Sequence, residues 1–413
     1  MVANQQEFLQ AQRETTCGVG IQQNTPNCRS YQWCPLATNT SLSVPSHLPT
    51  EIHEMASKLH YLRMDEHFDQ AVVASTFQSL LEKVQKEGIR VELSLHACDQ
   101  RVAINDASAW MRDHRCYATV GVRVFIRSSD REKSISRSYS YASLDDLLTQ
   151  LPDLIHPIDS LATIAAATLD TVPCPEDTMP VVLAPGHAAV FFHEICGHPL
   201  EGDIVISNTS YLASWIGRRV AEEWMTLVDD PAPGSSKISH HIDDEGTPSR
   251  PAYLIKQGVL QEPLLDKRSA SILKLEPNGH GRRLDFRHYA VPRMSHTQVV
   301  PHAGTAHEAY AGIKHGIMIY SLKLRHMNIA SGDFSFAITE ARLIKDGRLG
   351  SYISPGLLHG NGLQALREID FVGADDVRFL NAGAGCGKLD QWPLVVSFGQ
   401  PTVRFRQLRV QPW

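Results

Sequence analysis

Leu343-Ile344-Lys345-Asp346-Gly347-Arg348-Leu349 reads as an apolar run, a two-residue turn and a return run, and Leu254-Ile255-Lys256-Gln257-Gly258-Val259-Leu260 repeats the pattern. Asp-Gly between strands is a strong signal for a type I′ hairpin, because both central residues need positive φ; Gln-Gly is a weaker version of it. Two such hairpins predict an antiparallel β-rich domain over residues 176–413. Upstream of it, Asp170–Pro180 (DTVPCPEDTMP) carries three prolines and divides the patterns on either side, so the boundary falls there. Before that divide, Val73, Phe77, Leu80, Leu81 and Val84 recur at helical spacing, with Gly88 as the expected stop. Arg90–Leu95 then alternates and Thr119–Ile126 is a β-branched run. These elements predict a small N-terminal α/β domain over residues 71–175, its patterns ending near Ser143–Leu151. The fold class is therefore α+β in two domains. Residues 1–70, rich in Gln, Asn, Ser, Thr and Pro with weak periodicity, are expected to form a loosely ordered leader.

Composition is consistent with two packed domains: 413 residues at 43% hydrophobic and 20% charged exclude fibrous, collagen-like and disordered classes. Lys plus Arg total 39 against 45 for Asp plus Glu, a balance of −6, and no basic stripe argues for a nucleic-acid partner. The eight cysteines are scattered without a CxxC pair, which reads as a reducing compartment. The N-terminus lacks a basic region followed by an apolar core, so no secretory signal is expected. Leu161–Leu169 and Val181–Phe192 are short or broken, below the ~18 residues of a membrane span. A soluble, cytoplasmic protein is expected.

The chemistry concentrates in His193-Glu194-Ile195-Cys196-Gly197-His198-Pro199-Leu200-Glu201-Gly202-Asp203, preceded by Val181–Ala184, a Pro185-Gly186 turn and AAVFF. That order predicts a strand, a tight turn and a buried helix presenting the histidines. In the common zincin pattern two histidines lie four apart on one helical face, with a glutamate between them as general base. Here the spacing is five, and at ~100° per residue a regular helix would set the two side chains about 140° apart. The backbone must deviate. Gly197 tolerates unusual dihedrals and Pro199 disfavours the α region at His198, so the helix should widen or end there and swing His198 back. A chance HExxxH in a chain with 20 histidines is the competing reading. Two imidazoles are also too few for a catalytic zinc, which usually takes three protein ligands and keeps a fourth position for water. Cys386 stands out for the third place, because Gly383-Ala384-Gly385-Cys386-Gly387-Lys388 lets the backbone approach an ion closely. Cys196 is set aside as a small buried hydrophobe. The remaining histidines lack mutual ligand spacing.

HEICGHPLEGD, IDDEGTPSRPAYLIKQGVLQ, PRMSHT, SGDFSFAITEARLIKDGRL, NAGAGCGK and FGQPTVRF, in that order, resemble the signature blocks of the TldD/PmbA family of zinc metallopeptidases from about Val181 to Val410. The likeness is to the TldD-like branch, which carries HExxxH. It implies that the C-terminal antiparallel β-rich domain is the metallopeptidase domain, that His193, His198 and Cys386 hold Zn2+, and that Glu194 is the catalytic carboxylate. It implies a dimer as well, either a homodimer or a heterodimer with a related TldE/PmbA-like subunit. The chain departs from the commonest form at Pro199 and in its first 180 residues, which bears on substrate more than on metal chemistry.

Two imidazoles and one thiolate leave zinc a formal charge of +1, still able to lower the pKa of its water towards about 7. Glu194 would act as general base and return the proton to the leaving amine, hydrolysing peptide bonds in unstructured peptides or leaders. Glu201 and Asp203 are candidates to accept hydrogen bonds from the ligand imidazoles, with capping or turn roles as the competing reading. Arg293 and His288 are candidate oxyanion donors. His359 and Asn361, within Leu357–Gly362, are candidates for a groove that takes an extended peptide by strand addition. Two alternatives stand: an amide hydrolase acting on a small peptide-like conjugate in a biosynthetic pathway, and a non-catalytic structural subunit. Iron in place of zinc also stays open.

Overall fold

A computed structural model describes residues 71–105, 109–128, 131–231, 239–377 and 385–413 in full, and beyond them only the backbone of 2–4, 8–10, 18–24, 29–35, 70 and 380–381. Two separate hydrophobic cores organise these residues. In the first, the helix Gln70–Val84 buries Val73, Phe77, Leu80 and Val84 against Val91, Leu93, Val120 and Val122 of the strands Ile89–Asn105 and Trp110–Ser128. Each such side chain contributes about 1.5–3 kcal/mol on burial. The helix Ile155–Ala167 adds Ile158 and Leu161 to that core, so the domain runs past the expected end of its patterns at Ser143–Leu151. Gly88 does not cap the helix, which ends at Val84; at φ +75 it makes the tight turn in which Ile89 N–H donates to Lys86 O.

Most of the leader, including residues 36–69, lies outside the described residues. Of the rest, Val2–Asn4 pairs with Phe8–Gln10 and with Glu92–Ser94, and Gly18–Asn24 forms a hairpin with Arg29–Pro35. The edge of the Ile89 strand offers unpaired backbone groups, and residues 2–4 satisfy them.

The second core lies in and around a closed barrel. Strands Asp177–Leu183, Val403–Pro412, Gly356–Asn361, Asp333–Lys345 and His315–Met327 follow one another round the ring, which closes because His315–Met327 pairs with both Asp333–Lys345 and Asp177–Leu183. Both expected hairpins are present with type I′ turns: Gln257 and Gly258 take φ 49 and 77, and Asp346 and Gly347 take φ 47 and 71. The sheets are not purely antiparallel. Ile317–Ile319 runs parallel to Val181–Leu183, and His296–Gln298 runs parallel to Ser397–Gly399, pairings that long crossovers allow and local turn signals do not reveal. No helix among the described residues is long and apolar enough to cross a membrane.

The Ile89 and Trp110 strands continue well past the first core as a two-stranded ribbon that reaches the second domain. There Arg115 donates to Asp244 Oδ1 at 2.8 Å, to Ile242 O at 2.8 Å and to Asp113 Oδ2 at 3.1 Å. Burial alone would raise the Asp244 carboxyl, yet Arg115 and Arg283 hold it below the usual range. Arg115→Met removes the guanidinium that the buried Asp113 and Asp244 share and should lower stability by about 3 kcal/mol at pH 7. Because Asp244 is depressed in the folded state, the pair's contribution is present above the ordinary carboxylate pKa and is lost as pH falls through the folded value. Urea denaturation at pH 7 and below about pH 4 should therefore show a deficit that shrinks in acid. An equal deficit at both pH values would mean the loss is packing and not charge.

Candidate metal centre

The barrel strand Asp177–Leu183 ends at a turn where Gly186 takes φ +113, and the chain then winds through residues 187–200 as one continuous helical path. Phe191 anchors it, packed edge-on against Phe334 and Phe405 with ring centroids 5.2 and 5.3 Å apart. His193–Gly197 is a π turn: His198 N–H donates to His193 O, five residues back. In such a turn five steps complete little more than one revolution, so histidines five apart face the same way. Their rings stand 4.9 Å apart at 80°.

The widening expected from the spacing is there, but not by the expected means. His198 keeps φ −58 and ψ −44 and Gly197 keeps φ −58 and ψ −64, so neither residue leaves the right-handed helical region. Pro199 sits at the start of the short 3-10 segment His198–Leu200, where a missing N–H is harmless. Gly197 is needed for space: a Cβ there would overlap the side chain of Met294, itself fully buried. Gly197→Ala should cost about 1–3 kcal/mol by overpacking, and combined with Met294→Ala the two losses should sum to less than their separate values. Thermal denaturation of the single and double variants measures this, and additive losses would refute the packing explanation.

Cys386 arrives on the strand Cys386–Lys388, paired with Gln391–Leu394. Its Sγ lies 3.2 Å from His198 Nε2, and ligand atoms of His193, His198 and Cys386 all fall within 4.8 Å of one another. His193 and Cys386 are 3% and 7% exposed, and His193 Nδ1 is a buried nitrogen without a hydrogen-bond partner. Burial would push the Cys386 thiol up, but the imidazoles of His198 and His193 hold it well below its ordinary value. His198 in turn is raised well above its ordinary value by Cys386 and Glu201 against the opposing effect of burial. A sulfur stabilised as thiolate between two imidazoles is a donor set suited to zinc. Glu194 turns to the same side, its Oε2 4.0 Å from His198 Nε2.

Behind the cluster, Glu201 is 1% exposed and its Oε2 lies 3.2 Å from His198 Nδ1 and 3.1 Å from Lys388 Nζ. Burial opposes its ionisation, but Lys388, His198 and Arg293 pull its carboxyl down to about 2. It orients the imidazole from behind. Asp203 makes no contact with an imidazole here; it accepts from Lys388 Nζ at 2.6 Å and so steadies the lysine that steadies Glu201. Glu201→Gln should weaken zinc binding by about 10–100-fold, as losses of such supporting partners do. Competition with a chromophoric chelator gives the affinity, and an unchanged value would remove Glu201 from the site.

Of the expected substrate-binding residues, only Arg293 touches the cluster, and from its inner side. Arg293 is 0% exposed; its Nη2 donates to Cys386 O at 2.7 Å and its Nε lies 3.6 Å from Glu201 Oε1, so it positions the cysteine from the inside and cannot meet a substrate oxyanion there. His288 is held by Asp285 at 2.9 Å, beneath the turn of the Cys386 hairpin, with Asp390 3.9 Å away. His359 pairs with Ser335 and Arg409 in the barrel, and Asn361 donates to Ser331 O and Asp333 Oδ1. Both lie on the barrel strand Gly356–Asn361. Cys196 lies at 0% exposure in the apolar core, its thiol pushed up by burial. Two supports went unread in the sequence. Lys388 was legible, since i and i+2 share a face of a strand and Cys386 was already a candidate. Gln391 was not: it clamps the hairpin by donating to Tyr289 O at 2.9 Å and accepting from Leu284 N at 2.8 Å, a long-range partnership.

Comparisons with known proteins meet this geometry. "Metalloprotease TldD homolog" of Buchnera aphidicola subsp. Schizaphis graminum is 34% identical over 247 residues, 60% of this chain and 51% of that protein. "Zinc metalloprotease TldD homolog" of Saccharolobus solfataricus is 29% identical over 234 residues, 56% of this chain and 51% of that protein. The chain thus spans about half the length of the curated relatives it matches. Among solved structures, TldE from Thermococcus kodakarensis superposes with a TM-score of 0.70 at 17% identity, covering 96% of this chain and 95% of that one, a likeness of fold. The family profile described as "PmbA/TldA metallopeptidase C-terminal domain" matches residues 176–412, the stretch that holds the barrel, the π turn and the cysteine hairpin. More than half of the chain is covered by that match, and the chain belongs to the PmbA/TldA metallopeptidase family.

Proposed function

We propose that this chain is a zinc-dependent peptidase that hydrolyses unstructured peptides, with His193, His198 and Cys386 as metal ligands and Glu194 as general base. The observation that carries the reading is the convergence of two imidazoles and a thiolate with a carboxylate facing them. Bound zinc supplies a polarised carbonyl and a more acidic water. Glu194, on the same side as the ligands, would accept a proton from the attacking water and hand one to the leaving amine. Glu201 and Lys388 keep His198 oriented throughout, and the buried Arg293 fixes the Cys386 backbone. A carboxylate standing beside the three ligands, and not among them, favours catalysis over a purely structural ion.

Leu389 and Trp392, 67% and 62% exposed on the hairpin that carries Cys386, offer apolar surface to an unfolded chain beside the cluster. This favours a peptide over a compact conjugate. The fold likeness to a protein named TldE supports pairing with a related chain or with a second copy. Incubation of the zinc-loaded chain with a mixed peptide pool, with and without copurified partner, should yield new termini by mass spectrometry that a chelator suppresses. Intact peptides in every arm would overturn the proposal.

A further inference from the structure

A second cluster lies on the outer face of the ribbon. Asp99 is paired with Cys116 in register, and His114 stands two residues before Cys116 on the same face. His114 Nε2 is 2.7 Å from Asp99 Oδ1 and 3.1 Å from Cys116 Sγ, and ligand atoms of all three fall within 4.8 Å of one another. We propose that Asp99, His114 and Cys116 form a second metal site, for zinc or a similar borderline cation, that staples the two ribbon strands together.

The donor chemistry narrows the ion. A thiol, an imidazole and a carboxylate suit zinc, whereas calcium and magnesium require oxygen donors. Donors around a tetrahedral zinc stand about 3.5 Å apart, given its bond lengths, so the sulfur and Nε2 are close to that spacing while the Asp99 carboxylate, at 2.7 Å from Nε2, would draw back. The sulfur-to-Nε2 distance of 3.1 Å is nearly that of the first cluster, 3.2 Å between Cys386 and His198. Three protein ligands leave a position open to water or to a donor from outside the chain.

The fold gives such a staple a purpose. Val91, Leu93, Leu95, Val120 and Ala118 form the core face of these strands, and Asp99, Cys116 and His114 continue that face beyond the core. Among the described residues the ribbon has no third strand, because Arg131–Tyr141 pairs no further than Ala118. An isolated two-stranded hairpin is marginal in water. Its other face is anchored to the second domain through Asp113 and Arg115, which alternate with His114 and Cys116. On the outer face the cluster lies open to solvent: the side chains of His114 and Asp99 are 45% and 41% exposed. A cation bridging both strands there would fix the ribbon and hold Arg115 in place on Asp244.

Zinc retained after gel filtration, measured by metal analysis and native mass spectrometry, tests this. The full chain should hold two equivalents, and Cys116→Ala and His114→Ala one each. Cys386→Ala should also hold one, and Cys116→Ala combined with Cys386→Ala none. Loss of one equivalent from Cys116→Ala with none lost from Cys386→Ala would sustain this site while sinking the proposed catalytic ion. Unchanged stoichiometry in both Cys116→Ala and His114→Ala, with folding verified by circular dichroism, would overturn the second site and leave the first untouched.

Discussion

Glu194→Gln should retain zinc and lose peptide hydrolysis by at least about 10³-fold, within the range attributed to a positioned general base. The amide is close to the carboxylate in shape, so the π turn that carries it has no reason to change. What disappears is the capacity to accept a proton. Glu194 lies beside the ligands without joining their group: its Oε2 is 4.0 Å from His198 Nε2, while the three donors that cluster belong to His193, His198 and Cys386. Removing its charge therefore separates proton transfer from metal retention. Metal content and product formation on the same preparation make the comparison, with single-turnover kinetics to exclude slow product release. A variant that cleaves peptides at the parent rate would show that another group handles the proton. One that loses zinc along with activity would place Glu194 among the ligands.

The residues of this site differ in how far the sequence exposes their roles, and the difference follows the range of the forces involved. The turns at Gln257-Gly258 and Asp346-Gly347 are decided by two residues each, and both adopt the positive φ values their chemistry favours. The need for a widened helix between His193 and His198 follows from angular arithmetic. The cause of the glycine there does not, because the atom that excludes a Cβ belongs to Met294, far along the chain. Arg293 illustrates the same limit. A lone arginine near the motif reads as a substrate contact, and only the fold shows it fully buried against Cys386 O and Glu201. The ribbon was hidden for another reason. Past Leu95 the stretch His96–Arg101 breaks the apolar alternation, and the groups that hold the ribbon through Arg115 of its second strand, Ile242 and Asp244, come from the other domain.

Cys386→Ala should abolish zinc retention at the first cluster while leaving the fold intact. The thiolate is the one anionic donor in the set, and without it two neutral imidazoles are too few for a stable site. Loss of a supporting partner weakens metal sites by about 10–100-fold, so loss of a ligand should exceed that. The fold has independent supports at this point. Gln391 clamps the hairpin to Tyr289 and Leu284, and Arg293 binds the backbone carbonyl of Cys386, which alanine keeps. The metal-free variant should therefore still unfold cooperatively, at a midpoint lowered by the loss of the buried Cys386–His198 contact. Added zinc should raise the midpoint more in the parent than in the variant, because an ion that binds only the folded state stabilises it by mass action. Cys386→Ser is the sharper control: a hydroxyl of nearly the same size is a poor anion at neutral pH, so it should behave like alanine if charge on sulfur holds the ion. Parent-like zinc stabilisation in both variants would mean that the two histidines recruit their third donor elsewhere.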